Sequence, residues 1–138
     1  MRPIYETSAD RARENGVRVH LMETFGCQYQ KAPPLFCVDG QLLNADGKTA
    51  GLVEIKTRKN AHNKYPTYML SASKWRKAMS LGDTMNVPVM LVVQFTDGVY
   101  MTRLKWDYPT AQGGRTDRND AMDIEECIYI PITEFKSV

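Results

Sequence analysis

The chain has 138 residues, of which 43% are hydrophobic and 25% are charged, and its net charge is +2. These values predict one soluble globular domain, residues 1–138, with a single hydrophobic core. No segment approaches the roughly 20 apolar residues of a membrane span, and the N-terminus has no apolar secretory signal, so we expect a cytoplasmic location. Three cysteines without C-x-x-C spacing predict buried, reduced thiols rather than disulfides or a zinc site.

The small net charge conceals an uneven distribution along the chain. Residues 1–53 contain six basic and six acidic residues, residues 54–106 contain nine and three, and residues 107–138 contain three and seven. The middle third therefore carries +6, which is typical of a surface that binds a polyanion. A solvated lysine-rich surface would explain the same charge.

The first predicted element is a helix that ends at Gly26. Thr7, with an acidic residue three positions later, is a capping signal at its start. Val17, Leu21 and Phe25 follow at helical spacing and predict an apolar stripe that faces the core.

Three strands are predicted next, over residues 27–31, 35–43 and 49–58. The second and third strands are joined by the turn-forming segment Asn44-Ala45-Asp46-Gly47 and should form a hairpin. Residues 60–66 are polar, and we expect them to be irregular.

A second helix is expected over residues 71–81, with Ser71 as its cap and Gly82 as the residue that ends it. Its apolar face should consist of Ala72, Trp75, Ala78 and Met79. The apolar run at 89–93 predicts a central strand, and Asp97-Gly98 turns the chain into a partner strand over 99–104.

After Trp106 the pattern predicts a long loop through residues 113–120 and a last strand at 127–130, placed at an edge because of Pro131. The order α-β-β-β-α-β-β favours the α/β or α+β class, with a central mixed sheet flanked by helices. The core should span about residues 6–105, with a C-terminal loop and edge strand over 107–138.

The third predicted strand carries a charged pair on one face. Side chains alternate along a strand, so Glu54 and Lys56 point the same way. With a four-residue loop at 44–47, Asp39 lies opposite Leu52 and diagonal to Glu54, and all of these side chains share a face. A slip of one residue would turn Asp39 to the other face.

Two carboxylates and an ammonium group therefore converge in the predicted hairpin. Carboxylates this close favour an oxygen-loving cation such as Mg²⁺ between them, because two unpaired negative charges repel. Such a cation can polarise a phosphoryl oxygen and lower the pKa of a bound water, while Lys56 orients the nucleophile or offsets developing charge. This is the chemistry of phosphodiester hydrolysis.

The first helix supplies a further candidate. On a helical wheel Glu14 lies about 20° from both Leu21 and Phe25, inside the stripe that should face the sheet. A carboxylate aimed at a core needs a partner. We expect Glu14 to act as a metal ligand through water, and a surface or structural carboxylate is the alternative.

A basic tract begins at the same site. From Lys56 to Lys77 the chain has seven basic residues and no acidic one, enough to neutralise several phosphates. We expect nucleic-acid contacts from Arg58, Lys59, Lys64, Lys74 and Lys77. The tract also holds three aromatic residues that we expect to pack rather than stack on bases, namely Tyr65, Tyr68 and Trp75.

Val38-Asp39 and Glu54-Ile55-Lys56, with fourteen residues between the two acids, resemble the signature of the PD-(D/E)XK nuclease superfamily. The resemblance covers about residues 6–105 and departs from the signature at Val38, where proline is usual. Its Holliday-junction-resolvase branch has a Glu on the first helix and a Lys on the second, and Glu14 and Lys74 match these positions. Small phage-encoded nucleases are similar too, including in the run at 113–118.

The resemblance implies a restriction-endonuclease-like fold and a Mg²⁺-dependent nuclease, with Mn²⁺ as an alternative cofactor. It implies DNA as the substrate, Asp39, Glu54 and the Ile55 carbonyl as metal ligands, Lys56 as the partner of the catalytic base, and a homodimer. An exonuclease fits as well as an endonuclease.

Two other classes remain open. The chain could be a catalytically inactive nucleic-acid-binding or accessory module of the same fold, although an intact Asp-Glu-Lys set speaks against it. It could also be an unrelated interaction domain in which Glu54 and Lys56 form a surface ion pair, and Asp39 would then point away from Glu54.

Overall fold

The computed structural model describes residues 8–33, 36–114 and 124–138. These residues form two α-helices, α1 (Ser8–Phe25) and α2 (Ala72–Met85), and a 3-10 turn at Ile132–Glu134. They also form nine strands: β1 (Gln28–Lys31), β2 (Gly40–Leu43), β3 (Thr49–Thr57), β4 (Thr67–Ser71), β5 (Val89–Phe95), β6 (Gly98–Arg103), β7 (Thr110–Gly114), β8 (Ile124–Pro131) and β9 (Lys136–Ser137). The expected cap at Thr7, the expected strand start at Leu35 and loop residues 115–120 lie outside the described residues.

The main sheet has six strands in the order β1-β2-β3-β5-β6-β9. Only the β3–β5 pair is parallel among its described pairings, so the sheet is mixed, as expected. Strand β5 lies between β3 and β6, and Leu91, Val92 and Val93 are fully buried in it. The expected central strand is therefore confirmed, because an apolar run buried on both faces belongs in the middle of a sheet.

Helix α1 covers one face of this sheet, and α2 covers the other. Val17 and Leu21 of α1 pack against Val53, Ile55 and Val92. The four apolar residues predicted for α2 are all buried on the opposite side, with Leu52, Leu91 and Val93 of the sheet. Alternation along β3 thus places Val53 and Ile55 on the α1 side, and Leu52, Glu54 and Lys56 on the α2 side.

A second sheet of three strands, in the order β4-β8-β7, was not expected from the sequence. Residues 67–70 were not assigned to a strand, and residues 110–114 fell in a segment of expected irregular structure, yet both pair with β8. The expected edge position of 127–130 is wrong, because β8 is the middle strand. Pro131 ends that strand and leaves the ladder before it intact.

The end of α2 and the exposure of Phe25 in α1 also differ from expectation. Helix α2 continues past Gly82 to Met85, and Asn86 caps it in the left-handed conformation with φ 57°. Gly82 instead allows close packing, since a Cβ there would lie 2.7 Å from Cγ2 of Val89. Phe25 does not join the buried stripe of α1 and is 45% exposed.

The three cysteines are free thiols, of which Cys127 is buried, as expected, while Cys27 and Cys37 are partly exposed. Within the described ranges, neither helix combines the length and the apolar character needed to span a bilayer.

Candidate active site

The β2–β3 hairpin positions Asp39 differently from the predicted register. Gly40 pairs with Val53, and Leu42 pairs with Gly51. The predicted register would have paired Gly40 with Gly51, so the observed register is shifted by two residues, and Asp39 directly precedes the Gly40–Val53 pair. The backbone N–H of Asp39 donates to the carbonyl of Val53 at 3.0 Å, which holds Asp39 beside β3.

Two single-residue changes produce this shift. Leu43 pairs with Thr49, so the loop is one residue longer than predicted, and a bulge between Leu42 and Leu43 leaves Ala50 as an extra residue in β3. Together they move the register by two residues. Because side chains alternate with a period of two, Asp39 stays on the face of Glu54, as the sequence predicted.

The Asp39 carboxylate is fixed by the backbone of the facing strand. The N–H of Ile55 donates to Oδ2 of Asp39 at 2.6 Å. The N–H and C=O of one residue point to the same side of an extended strand, so the Ile55 carbonyl also points toward Asp39. In an unrelated interaction domain, Asp39 would point away from Glu54. The two carboxyl groups are instead in contact, which contradicts that alternative.

Glu54 is the buried member of the site, with a side chain only 12% exposed. Its carboxyl group hydrogen-bonds that of Asp39, and its Oε1 lies 3.8 Å from Nζ of Lys56. Burial raises the pKa of Glu54 to about 8, against the attraction of Lys56 and Lys74 and with the charge of Asp39 adding to the rise. Lys74 of α2 is thus close enough to lower the pKa of Glu54, although sixteen residues lie between Lys74 and the end of β3 in the sequence.

Glu14 is buried, at 8% exposure, on the face of α1 that contacts the sheet, as the helical wheel predicted. Its Oε1 forms an ion pair with Nζ of Lys31 in β1 at 3.2 Å. Lys31 was not identified from the sequence. No residue pattern signals this pairing, because it depends on how α1 lies across β1.

Tyr29 is a second site residue that the sequence did not reveal. Its hydroxyl group is buried and has no hydrogen-bond partner among the described residues. Burial raises its pKa, and the charges of Asp39, Glu14 and Glu54 raise it further. The phenol therefore lies among the three acidic groups of the site.

Gly40 makes room for this phenol. A Cβ at position 40 would lie 2.5 Å from Cζ and the hydroxyl of Tyr29 and 2.6 Å from the carbonyl of Gln30. The glycine after Asp39 is therefore explained by close packing, and the bulge in the hairpin lies elsewhere. A glycine next to a predicted catalytic acid is the one sequence signal that could have pointed to a neighbouring bulky side chain.

The five basic residues expected to contact nucleic acid are all exposed: Arg58, Lys59, Lys64, Lys74 and Lys77. Arg58 follows Lys56 on the same side of β3, and its guanidinium lies 4.9 Å from the ring centroid of Tyr68. Arg76, in the same tract, is instead held by Glu126 at 2.6 Å.

The donor set suits a hard divalent cation. Asp39 and Glu54 offer two adjacent carboxylates, and the Ile55 carbonyl lies on the edge of β3 that faces Asp39. No cluster of three or more His, Cys, Asp or Glu side chains occurs in the described part of the chain, so Glu14 does not join the pair as a direct third carboxylate. Two carboxylates with the remaining positions filled by water are typical of Mg²⁺.

A mixed sheet between helices, with an aspartate beside the glutamate of a Glu-x-Lys strand, defines the PD-(D/E)XK class of nucleases. The chain belongs to the family described as "Phage putative PDDEXK endonuclease", whose model matches residues 1–138. The resemblance drawn from the sequence is therefore confirmed, and the protein is a nuclease of the PD-(D/E)XK type.

The fold is also similar to that of a solved structure. Hjc, a Holliday junction resolvase from the archaeal hyperthermophile Archaeoglobus fulgidus, superposes with a TM-score of 0.65 at 15% sequence identity, over 95% of this chain and 93% of that chain. At this identity the similarity establishes the fold, and it confirms the expected restriction-endonuclease-like core. A comparison with curated proteins gives no match.

Proposed function

We propose that the protein is a Mg²⁺-dependent endonuclease that hydrolyses phosphodiester bonds in DNA. One observation carries this proposal: the carboxyl groups of Asp39 and Glu54 are in hydrogen-bond contact, and Nζ of Lys56 lies 3.8 Å from Oε1 of Glu54. A buried carboxylate with a raised pKa is costly for a folded protein, and such groups concentrate at functional sites.

In this proposal Asp39, Glu54 and the Ile55 carbonyl hold the cation, and Glu14 contributes through a water molecule. Mn²⁺ would fit the same donors. When bound, the cation supplies Lewis-acid polarisation of the phosphoryl oxygen and a lowered pKa for a bound water. Lys56 holds the attacking water in line with the phosphorus atom and offsets negative charge that develops there.

The chain's own charges orient the substrate. Arg58, Lys59, Lys64, Lys74 and Lys77 would contact phosphates on either side of the cleaved bond, which favours DNA as a long polyanion over a small phosphate ester. A second copy of the chain would bring a second such site, so a homodimer could cut both strands together. The place of action would be the cytoplasm of a phage-infected cell.

The test is cleavage of supercoiled plasmid and of synthetic four-way junctions, with Mg²⁺, Mn²⁺ or EDTA. Wild-type protein should cut in either metal and not in EDTA. Lys56→Ala should lower the rate by at least a hundredfold, since it removes an electrostatic contact to the reacting group. Lys48→Ala, which removes an exposed lysine from the loop of the same hairpin, is the matched control and should cut at the wild-type rate.

The outcomes separate the alternatives. Binding of DNA without cleavage in either metal would favour an inactive accessory module. Cleavage that Lys56→Ala leaves undiminished would contradict the assigned mechanism but keep the activity. Degradation from labelled ends, with no nicking of circular plasmid, would show an exonuclease.

A further inference from the structure

A cleft of about 350 Å³ opens beside the proposed active site. Arg58 lines it, and Arg58 lies four residues from Glu54 on the same side of β3, or about 13 Å along the strand. Tyr68 also lines it, and the guanidinium of Arg58 lies 4.9 Å from the centroid of the Tyr68 ring. The volume is at the lower end of the roughly 300–1,000 Å³ found for small-molecule sites.

The walls of the cleft combine aromatic rings with polar groups. Tyr65 is 55% exposed at one side, with Nζ of Lys64 5.4 Å from its ring centroid. Phe95 and Tyr129 add two further rings, and Asn60 adds an amide. The cleft is thus lined for a flat, apolar group with a polar edge, and basic side chains stand at its rim.

The hydroxyl group of Tyr68 is a buried polar group at the wall of the cleft. Tyr68 is only 5% exposed, and its hydroxyl is buried without a hydrogen-bond partner among the described residues. Leaving a buried hydroxyl unpaired is unfavourable, so such groups are usually satisfied by a ligand or an ordered water. The Arg58 guanidinium covers the ring of Tyr68, and the two groups together offer donors to a ligand.

We propose that this cleft binds an unpaired nucleobase next to the phosphate that is cleaved. The inference rests on the proposed function and names its substrate class: DNA that has single-stranded nucleotides at the cleavage site, such as a flap, gap or branch. Aromatic faces stack on any base, and polar groups can pair with the base edge. A base inside a duplex would first have to leave its stack, which makes an already unpaired base the better ligand. Tyr65 is then a contact residue for the base, contrary to the packing role expected from the sequence. Tyr68 is buried in the core, as expected, and would offer the base only its hydroxyl group.

The first test measures insertion of the base directly. Lys56→Ala protein, which should not cleave, is titrated in Mg²⁺ against a duplex with a single-stranded 3′ or 5′ extension that carries 2-aminopurine at each unpaired position in turn. Stacking in the cleft should change the fluorescence at one or two positions nearest the junction. Adding Tyr65→Ala should abolish that change and weaken binding of the extended DNA by about tenfold.

The second test compares cleavage of the extended duplex with cleavage of a fully paired duplex of the same sequence. Wild-type protein should prefer the extended substrate in kcat/KM. Tyr65→Ala should lower this preference by about tenfold and Tyr68→Phe by about threefold, as expected for one lost stacking contact and one lost hydrogen bond. Tyr108→Phe is the matched control, since Tyr108 is a buried tyrosine outside the cleft whose hydroxyl accepts a hydrogen bond from the N–H of Lys105.

The results distinguish this inference from the proposed function. Equal cleavage of both substrates, with a ratio that Tyr65→Ala and Tyr68→Phe leave unchanged, would overturn the cleft assignment while the nuclease activity stands. Binding with a fluorescence change that depends on Tyr65, in a protein that cuts neither substrate, would support the cleft and reject the nuclease proposal.

Discussion

Replacing Glu54 with glutamine tests the electrostatics of the active site without changing its shape. Glu54 is nearly buried, and its pKa rises from an ordinary value of 4.5 to about 8, first because of burial. The folded protein therefore holds this proton more tightly than the unfolded chain. Below pH 4.5 the group is protonated in both states and costs no stability. As the pH rises from 4.5 through 8, stability is lost progressively.

The size of the effect follows from the difference between the two pKa values. It corresponds to at most about 5 kcal/mol of stability lost by pH 9 in the metal-free protein, and relaxation around the charged group will reduce that figure. Glutamine cannot ionise, so Glu54→Gln should not show this loss. We expect the two proteins to have free energies of unfolding within about 1 kcal/mol at pH 5, and the variant to be more stable by about 2–4 kcal/mol at pH 8.5.

The assay is urea unfolding in EDTA at both pH values, followed by circular dichroism. Glu23→Gln, at an exposed carboxylate of α1, is the matched control and should change stability by less than about 0.5 kcal/mol at either pH. Adding Mg²⁺ at 100 times its dissociation constant should stabilise the wild type by about 2.7 kcal/mol and the variant much less. Two results would refute a raised pKa for Glu54. In the first, Glu54→Gln is no more stable than the wild type at pH 8.5. In the second, it is more stable by the same amount at pH 5 as at pH 8.5.

Three further predictions concern the surroundings of the site. Gly40→Ala should lower the free energy of unfolding by about 1–3 kcal/mol and reduce cleavage, because its Cβ would lie 2.5 Å from Tyr29, and an unchanged urea midpoint would contradict this packing. Gly16→Ala should instead raise stability by about 0.5–1 kcal/mol, since Gly16 lies within α1 and the added methyl group would have no atom within 4 Å. Thermal unfolding measures this change, and a lower melting temperature would contradict a helix at Gly16. Glu14→Gln should weaken Mn²⁺ binding in calorimetry by several-fold. Lys31→Met breaks the same ion pair but keeps the carboxylate, so it should leave Mn²⁺ binding unchanged. An equal loss of Mn²⁺ affinity in both variants would make Glu14 a structural residue only.

Much of the main sheet follows from local sequence patterns. The helical stripe of α1, the apolar face of α2 and the buried run of β5 each carry a strong periodicity, and each was found within a few residues of its predicted bounds. The second sheet was missed because β4 and β7 are short and only one of them alternates clearly between buried and exposed side chains. The pairing of β4 with β8 joins segments about 60 residues apart, a contact that no local pattern reports.

The end of α2 shows the limit of reading single residues. Gly82 is a helix terminator by local preference, yet the helix continues because tight packing against Val89 requires a residue without a side chain there. A glycine therefore has two meanings, a turn or a close approach, and only its neighbours in space decide between them.

The sequence by itself determined which residues share the face of the proposed site. Alternation along β3 puts Glu54 and Lys56 on one face, and the hairpin brings Asp39 to the same face for any even shift in register, so this conclusion survived an error of two residues. The tertiary structure alone decided that Gly40 pairs with Val53, two residues away from the predicted register, because one loop residue and one bulge residue differ too little in energy for local propensity to choose them. It also decided that Tyr29, Lys31 and the aromatic cleft surround the site, since these depend on packing between elements that are distant in the chain.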